Sequence, residues 1–289
     1  MDALASVEPQ QGRTIRAAAR DIFVAEIGDG PPLLMLHGGG PGASGLPNFV
    51  RNVSALAQRF RLIVPDMPGF GRSTKGVDRK DPFGDLATGM LGLLDALGVE
   101  RAHVLGNSLG GACALRMALG APERVDRLVL LGPGGIDTSR RPPTEGLLHL
   151  LDYYAGEGPT RKKCETFLRK DLVFDGAALP DALIDARYAV SLDPEVVANP
   201  PLARPKDLAS AQALDLTLDP RLGALNNPTL VLWGVEDRVN PASGGRSLQE
   251  RMPNCDLYLF SRSGHWVQWE RAAEFNAATI AHLSQSASA

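Results

Sequence analysis

Three separated groups of residues have the types and spacing that chemistry needs. Gly106-Asn107-Ser108-Leu109-Gly110-Gly111 lies between a short apolar run, His103 to Leu105, and a helical pattern that begins near Leu109. A serine with glycine two positions to either side, at a strand-to-helix junction, sits on a sharp turn that lifts its hydroxyl clear of the sheet. A side chain at Gly106 or Gly110 would meet neighbouring backbone in that turn. The helix start beneath the serine favours developing negative charge. Ser108 is therefore the candidate nucleophile. The alternatives are a glycine-rich turn with an incidental serine, or a phosphate-binding loop, but the lysine that a Walker loop places before its Ser/Thr is absent.

A serine needs a base, and the base needs an orienting acid. Trp233-Gly234-Val235-Glu236-Asp237 ends a late apolar run, and Ser263-Gly264-His265-Trp266 precedes the last helical pattern. The chain order Ser108, Asp237, His265 matches one of the known orders of such triads. Glu236 rivals Asp237, but Asp237 followed by Pro241 suits the turn better. Of five histidines, His103 falls in a strand pattern and His149 and His282 fall in helical ones, so they read as structural. His37 opens His37-Gly38-Gly39-Gly40-Pro41-Gly42 and is expected to brace the glycine loop that follows it. Glycines there let backbone approach a substrate oxygen, with the amides of Gly39 and Leu109 as the expected oxyanion donors. As a dinucleotide loop the run fails, since no G-x-G-x-x-G opens a helix with an acidic residue about twenty positions on.

The elements that must position these groups follow a strand-helix alternation through the first half. Strands are expected at Leu33 to Leu36, Arg61 to Pro65, His103 to Leu105 and Leu128 to Leu131. Leu86, Met90, Leu93, Leu94 and Leu97 recur at helical spacing until Gly98 stops them. The expectation is an α/β fold with a mostly parallel central sheet flanked by helices. From Gly135 to about Asp219 the chain is rich in proline and charge with helical apolar spacing, which reads as an inserted cap. Strand signals resume at Thr229 to Trp233 and Leu257 to Phe260, and a helix over Ala272 to Leu283 follows. The division predicted is a core of 1–135 and 220–289 with a helical cap of 136–219.

Composition excludes several other classes. The 289 residues are 44% hydrophobic and 22% charged, in the range of ordinary globular proteins. A net charge of -3 without a basic run argues against nucleic acid as a partner. Cys113, Cys164 and Cys255 lack C-x-x-C spacing and read as small buried thiols, neither a disulfide framework nor a zinc site. The stretch up to Asp21, with Glu8, Arg13, Arg16 and Arg20, has no apolar run of signal-peptide length, and nothing approaches a membrane span. No membrane partner and a cytoplasmic location are the expectation, and the Ser/Ala tail from Ser284 reads as frayed.

Taken together these residues resemble the meta-cleavage product hydrolases, carbon-carbon bond hydrolases of the α/β-hydrolase fold. The resemblance covers nearly the whole chain. It is carried by His37-Gly-Gly-Gly-Pro-Gly-Ala-Ser-Gly45 with Asn48, Arg51 and Asn52, by the run around Ser108, by Gly132-Pro-Gly-Gly135 and by Gly264-His-Trp-Val-Gln-Trp-Glu270. It implies that Asn48, Asn107, Arg187 and Trp266, with the backbone of Gly38 and Gly40, bind the 2-hydroxy or 2-oxo carboxylate end of the substrate. Arg187 also reads as a solvated arginine on a helix face, and Trp266 as core packing. Leu109 stands where the family commonly has Met, and Asn199-Pro-Pro201 and Arg204-Pro205 depart from a plain helical cap.

The resemblance further implies a serine-dependent hydrolase of 2-hydroxy-6-oxo-hexa-2,4-dienoates from aromatic degradation, such as biphenyl degradation, with an aryl group at carbon six. The products are 2-hydroxypenta-2,4-dienoate and a carboxylic acid. No metal and no organic cofactor are expected, the partner is the small dienoate substrate, and the family's habit implies a homo-oligomer. An esterase with the same triad and a non-enzymatic relative that binds a small ligand are the two other readings, because a fold does not fix a function.

Overall fold

The computed structural model describes residues 12–285. Residues 1–11 of the N-terminal stretch up to Asp21, and the end of the Ser/Ala tail, lie outside them. The strands are β1 (Arg13–Ala17), β2 (Arg20–Ile27), β3 (Pro32–Leu36), β4 (Arg61–Pro65), β5 (Ala102–Asn107), β6 (Val125–Leu131), β7 (Thr229–Gly234) and β8 (Cys255–Phe260). They form one eight-stranded sheet in the order β1-β2-β4-β3-β5-β6-β7-β8. The pairs β1/β2 and β2/β4 are antiparallel and the rest parallel.

Both faces of this sheet are covered, so its central strands read as unbroken apolar runs. Alternate residues part to opposite faces. Leu34, Leu36, Val104, Leu128 and Leu130 join the core on one side, and Leu33, Met35, Leu105, Val129 and Leu131 join the core on the other.

Between β3 and β4 the chain makes two single helical turns, α1 (Gly45–Asn48) and α2 (Val53–Leu56); α3 (Pro82–Ala96) and α4 (Leu109–Gly120) connect β4 to β5 and β5 to β6. The predicted stripe on α3 is buried from Phe83 through Leu94, Asp81 caps its start by accepting from the Gly84 amide, and Gly98 leaves it with φ +67. Between β6 and β7 the described chain contains no strand. It holds α5 (Glu145–Leu151), α6 (Arg161–Thr166), a π-helical turn (Phe167–Leu172), α7 (Asp181–Ser191), α8 (Pro194–Ala198) and α9 (Leu208–Ala213). Their apolar side chains make a separate cluster with Trp266 and Trp269 of the sheet domain. Finally α10 (Ser243–Arg251) joins β7 to β8, and α11 (Val267–Glu270) and α12 (Ala272–Leu283) end the chain.

Two expectations need correction. The β1–β2 hairpin was not foreseen, because its two-residue turn is Ala18-Ala19, both with positive φ, in place of the Asn-Gly type that announces such a turn. Cys255 is only partly buried, unlike Cys113 and Cys164, because it starts the edge strand β8. All three thiols are free.

Candidate active site

Parallel strands deliver their following loops to one edge of the sheet, the edge where ligands bind in such folds. β3 leads to His37, β5 to Ser108, β7 to Asp237, and β8 to His265. At the end of β5 the backbone of Ser108 is held at φ +53, ψ -111, which is strained for a residue with a side chain. The neighbours show why only glycine serves on either side. A Cβ on Gly106 would stand 2.2 Å from the Gly110 carbonyl oxygen, and one on Gly110 would stand 2.2 Å from that of Leu36. The strained turn is tied down from outside, by the Ser108 amide donating to Leu131 O at 2.9 Å and by the Gly134 amide donating to Ser108 O at 2.9 Å.

The Asp237 carboxylate is fully buried and fully engaged. Its Oδ1 accepts from the amides of Val239 (2.8 Å) and Asn240 (2.9 Å), and its Oδ2 accepts from Trp233 Nε1 (3.0 Å). The same Oδ2 lies 2.7 Å from His265 Nδ1. A carboxylate oxygen there calls for the N–H on Nδ1 and leaves Nε2 with its lone pair. Nε2 is buried and has no hydrogen-bond partner among the described residues. Glu236 turns elsewhere and accepts from the Ser263 amide at 3.1 Å, which pins the histidine loop to the acid loop.

The glycine loop is braced as expected. His37 Nδ1 lies 2.7 Å from Gly38 O, and its Nε2 accepts from the Met67 amide at 2.9 Å, a pattern that requires the neutral ring. Burial, outweighing the Gly38 carbonyl, lowers the His37 pKa to about 4. Gly39 packs on Leu109: a Cβ there would stand 3.1 Å from Leu109 Cδ2. Leu109 is the first residue of α4, so its amide has no acceptor within the helix. The Gly39 backbone thus adjoins the start of α4, the neighbourhood from which an oxyanion site would draw its donors.

A cavity of ≈ 300 Å³ lies over Ser108 and is lined by Gly38, Gly39, Gly40, Asn48, Asn107, Arg187, His265 and Trp266, together with Leu150, Phe167 and Leu172. The structure therefore brings the sequence-predicted residues to one place, with Asp237 behind His265 and Leu109 behind Gly39. Arg187 is no solvated arginine. It is 5% exposed, its Nε donates to Pro41 O at 2.6 Å, and its Nη1 is buried without a hydrogen-bond partner among the described residues. Burial lowers its pKa from the ordinary arginine value. Trp266 both packs and lines the cavity, stacked on Trp269 at 4.7 Å between ring centres with Arg187 Cζ 5.8 Å from its own ring centre.

Sequence reasoning quoted Gln268 within a motif but gave it no role; the residue is buried and donates from Nε2 to Asn107 Oδ1 at 3.2 Å. The same reasoning missed Leu150, Phe167 and Leu172, whose spacing carries only a packing signal. Glu270 was quoted in the motif without a role; its carboxylate accepts from the amides of Gly264 and Phe174, both at 2.7 Å, and so shapes the His265 loop. Burial raises its pKa.

Among the described residues no group of three or more His, Cys, Asp or Glu side chains could hold a metal ion. No helix of the described chain is long and apolar enough to cross a membrane.

The fold and the site define a class, and residues 31–272 match the family model described as alpha/beta hydrolase fold. The chain is 39% identical over 270 residues, 91% of each chain, to the 2-hydroxy-6-oxo-6-phenylhexa-2,4-dienoate hydrolase of Burkholderia cepacia. It is 38% identical, again over 91% of each chain, to the 2-hydroxy-6-oxononadienedioate/2-hydroxy-6-oxononatrienedioate hydrolase of Comamonas testosteroni. A serine-to-alanine variant of the meta-cleavage product hydrolase from Pseudomonas fluorescens IP01 superposes with a TM-score of 0.85 at 31% identity, covering 94% of this chain and 97% of that one. Within the α/β hydrolases, this chain belongs to the meta-cleavage product hydrolases.

Proposed function

We propose that the protein hydrolyses the carbon-carbon bond between carbons five and six of 2-hydroxy-6-oxo-hexa-2,4-dienoates that carry a neutral aryl group at carbon six. The products are 2-hydroxypenta-2,4-dienoate and the aryl carboxylic acid. One observation carries the reading: a buried guanidinium, with Nη1 unpaired among the described residues, lines the same cavity as Ser108 and His265. A simple ester gives such a group no anion to hold, whereas the 2-hydroxy carboxylate end of the dienoate does.

In the proposed sequence Arg187, Asn48, Asn107 and Trp266 hold that end, beside the backbone of Gly38 and Gly40. His265 Nε2, its ring oriented by Asp237, accepts the 2-hydroxyl proton. The electron pair moves through the diene and carbon five takes that proton back from His265, leaving ketones at carbons two and six and His265 neutral again. Ser108 Oγ then bonds to carbon six and passes its proton to His265, with the amides of Gly39 and Leu109 on the oxyanion. Breaking the bond sends its electron pair to carbon five, where it delocalises into the carbon-two ketone. That ketone is the reason a carbon leaving group becomes feasible. Water, activated by His265, releases the acid from Ser108. The chemistry needs neither a metal nor an organic cofactor.

The relatives divide between a phenyl and a carboxylate-ended substituent, and the neighbouring cavity supports the former. This space of ≈ 460 Å³ shares Gly39, Gly40 and Leu150 with the first and is lined by Phe70, Tyr153, Tyr154, Val196, Pro201 and Leu202. Its one charged lining residue among those described is Asp193, 3.5 Å from Lys75. A carboxylate arriving there would meet the like charge of Asp193. The 6-phenyl dienoate is expected to exceed the nonadienedioate in kcat/KM by roughly tenfold or more. Parallel measurements of colour loss test this, and a preference for the dicarboxylate would contradict it.

The proposal extends to a cap of 136–219 over a core of 1–135 and 220–289, to a homo-oligomer in solution, and to work in the cytoplasm within aromatic catabolism such as biphenyl degradation. A solution mass of 30.7 kDa, that of one chain, would contradict the oligomer.

A further inference from the structure

Gln268 lies on α11, three residues beyond His265, and is fully buried. Its Nε2 donates to Asn107 Oδ1 at 3.2 Å, and Asn48 Nδ2 approaches the same oxygen at 3.5 Å. At its other end Asn107 donates from Nδ2 to Leu131 O at 3.4 Å. A backbone carbonyl only accepts, so Leu131 fixes the sense of the whole chain of amides. Asn107 must turn its nitrogen to Leu131 and its oxygen to Asn48 and Gln268, which must in turn present their nitrogens.

The remaining atom of Gln268 makes this arrangement informative. Oε1 is buried with no hydrogen-bond partner among the described residues. An unpaired buried acceptor destabilises a fold, and methionine would fill the same space without one. The side chain is not needed to seat α11 either, because the Gln268 carbonyl is held by Asn52 Nδ2 at 3.1 Å, and that amide also reaches Asn276 Oδ1 at 2.9 Å. A side chain that packing alone does not favour is kept where its single hydrogen bond meets the residue preceding Ser108.

We propose that Gln268 is a positioning residue for substrate binding: by donating to Asn107 Oδ1 it locks the Asn107 carboxamide with its nitrogen available to the 2-oxygen and carboxylate of the dienoate. The second N–H of Asn107 Nδ2, the one Leu131 does not use, serves the substrate. Without the Gln268 donor only two long contacts, to Leu131 O at 3.4 Å and from Asn48 Nδ2 at 3.5 Å, hold the carboxamide, and its nitrogen is less firmly set toward the anion. The inference rests on the proposed dienoate function, and it makes Gln268 matter more for an anionic substrate than for a neutral one.

The test compares the full-length parent with Gln268→Met and Gln268→Glu on the 6-phenyl dienoate and on nitrophenyl acetate, with thermal midpoints measured alongside. For Gln268→Met the expected result is a midpoint at or above that of the parent, a dienoate KM raised about tenfold, and a dienoate-to-ester ratio of kcat/KM lowered about tenfold, the scale of one ordinary hydrogen bond. Gln268→Glu draws the Asn107 nitrogen to its own carboxylate, so its ratio should fall further. A ratio equal to that of the parent in the methionine variant would overturn the inference. So would a lowered midpoint with both activities falling in proportion, the mark of a purely structural residue. A parent with no action on the dienoate would overturn the proposed function and this inference together, so the two failures are distinct.

Discussion

Ser108→Ala is expected to lower kcat on the 6-phenyl dienoate by on the order of a millionfold while the protein stays folded. The loss is large because the hydroxyl forms the bond to carbon six, and none of the neighbouring groups can replace it. The fold should tolerate the change, since the strained turn is held by backbone bonds from Leu131 and Gly134 and by the glycines at 106 and 110. Binding should survive as well, because the charged end of the substrate is assigned to Arg187, Asn48 and Asn107. Single-turnover absorbance with excess variant, followed by assay for the released acid, checks both parts. Acid release at more than about a hundredth of the parental rate would remove Ser108 from the mechanism.

Asp237→Asn should cost about ten thousandfold in kcat, for a reason that can be read from its four contacts. Two backbone amides, of Val239 and Asn240, point at Oδ1, so an asparagine must keep its carbonyl oxygen there. Its NH2 then occupies the Oδ2 position, facing Trp233 Nε1–H and His265 Nδ1. The imidazole must present a lone pair on Nδ1 to that NH2, which moves its proton to Nε2. A ring protonated at Nε2 cannot take a proton from Ser108 or from the substrate hydroxyl. The opposed N–H groups of Trp233 and the new amide should also lower the thermal midpoint modestly. Steady-state kinetics of the purified variant are the check, and a loss below about tenfold would show that the acid only packs.

The serine turn was legible in the sequence because its constraint is local. Gly106 and Gly110 are forced by contacts within a few residues or with the adjoining β3 end, so the motif carries its own geometry. The strands β3 and β4 and the helix α12 were legible for a related reason: burial on one or two faces writes a period into the chain. The first hairpin was not, because Ala18-Ala19 adopts a turn that no residue preference announces.

Residues recruited across long separations were harder still. Gln268 meets Asn107 from 161 positions away, and no spacing rule links a glutamine on α11 to an asparagine at the end of β5. Arg187 could be assigned a role only through resemblance, since a lone arginine in a helical pattern reads as solvated. Its burial against Pro41 and the stacked pair of Trp266 and Trp269 is a tertiary fact. The apolar side chains that close the cavity from above, Leu150, Phe167 and Leu172, carried only a packing signal for the same reason.

The site of Ser108, His265 and Arg187 is proposed to break a carbon-carbon bond in an anionic dienoate. Stopped-flow absorbance of the purified protein mixed with the yellow 6-phenyl dienoate tests it most directly, with the products quantified at the end of the trace. Rapid loss of colour is expected, with one equivalent each of benzoate and 2-hydroxypenta-2,4-dienoate. Persistent colour and no benzoate, from a preparation that readily cleaves nitrophenyl esters, would contradict it and leave an esterase built on the same triad.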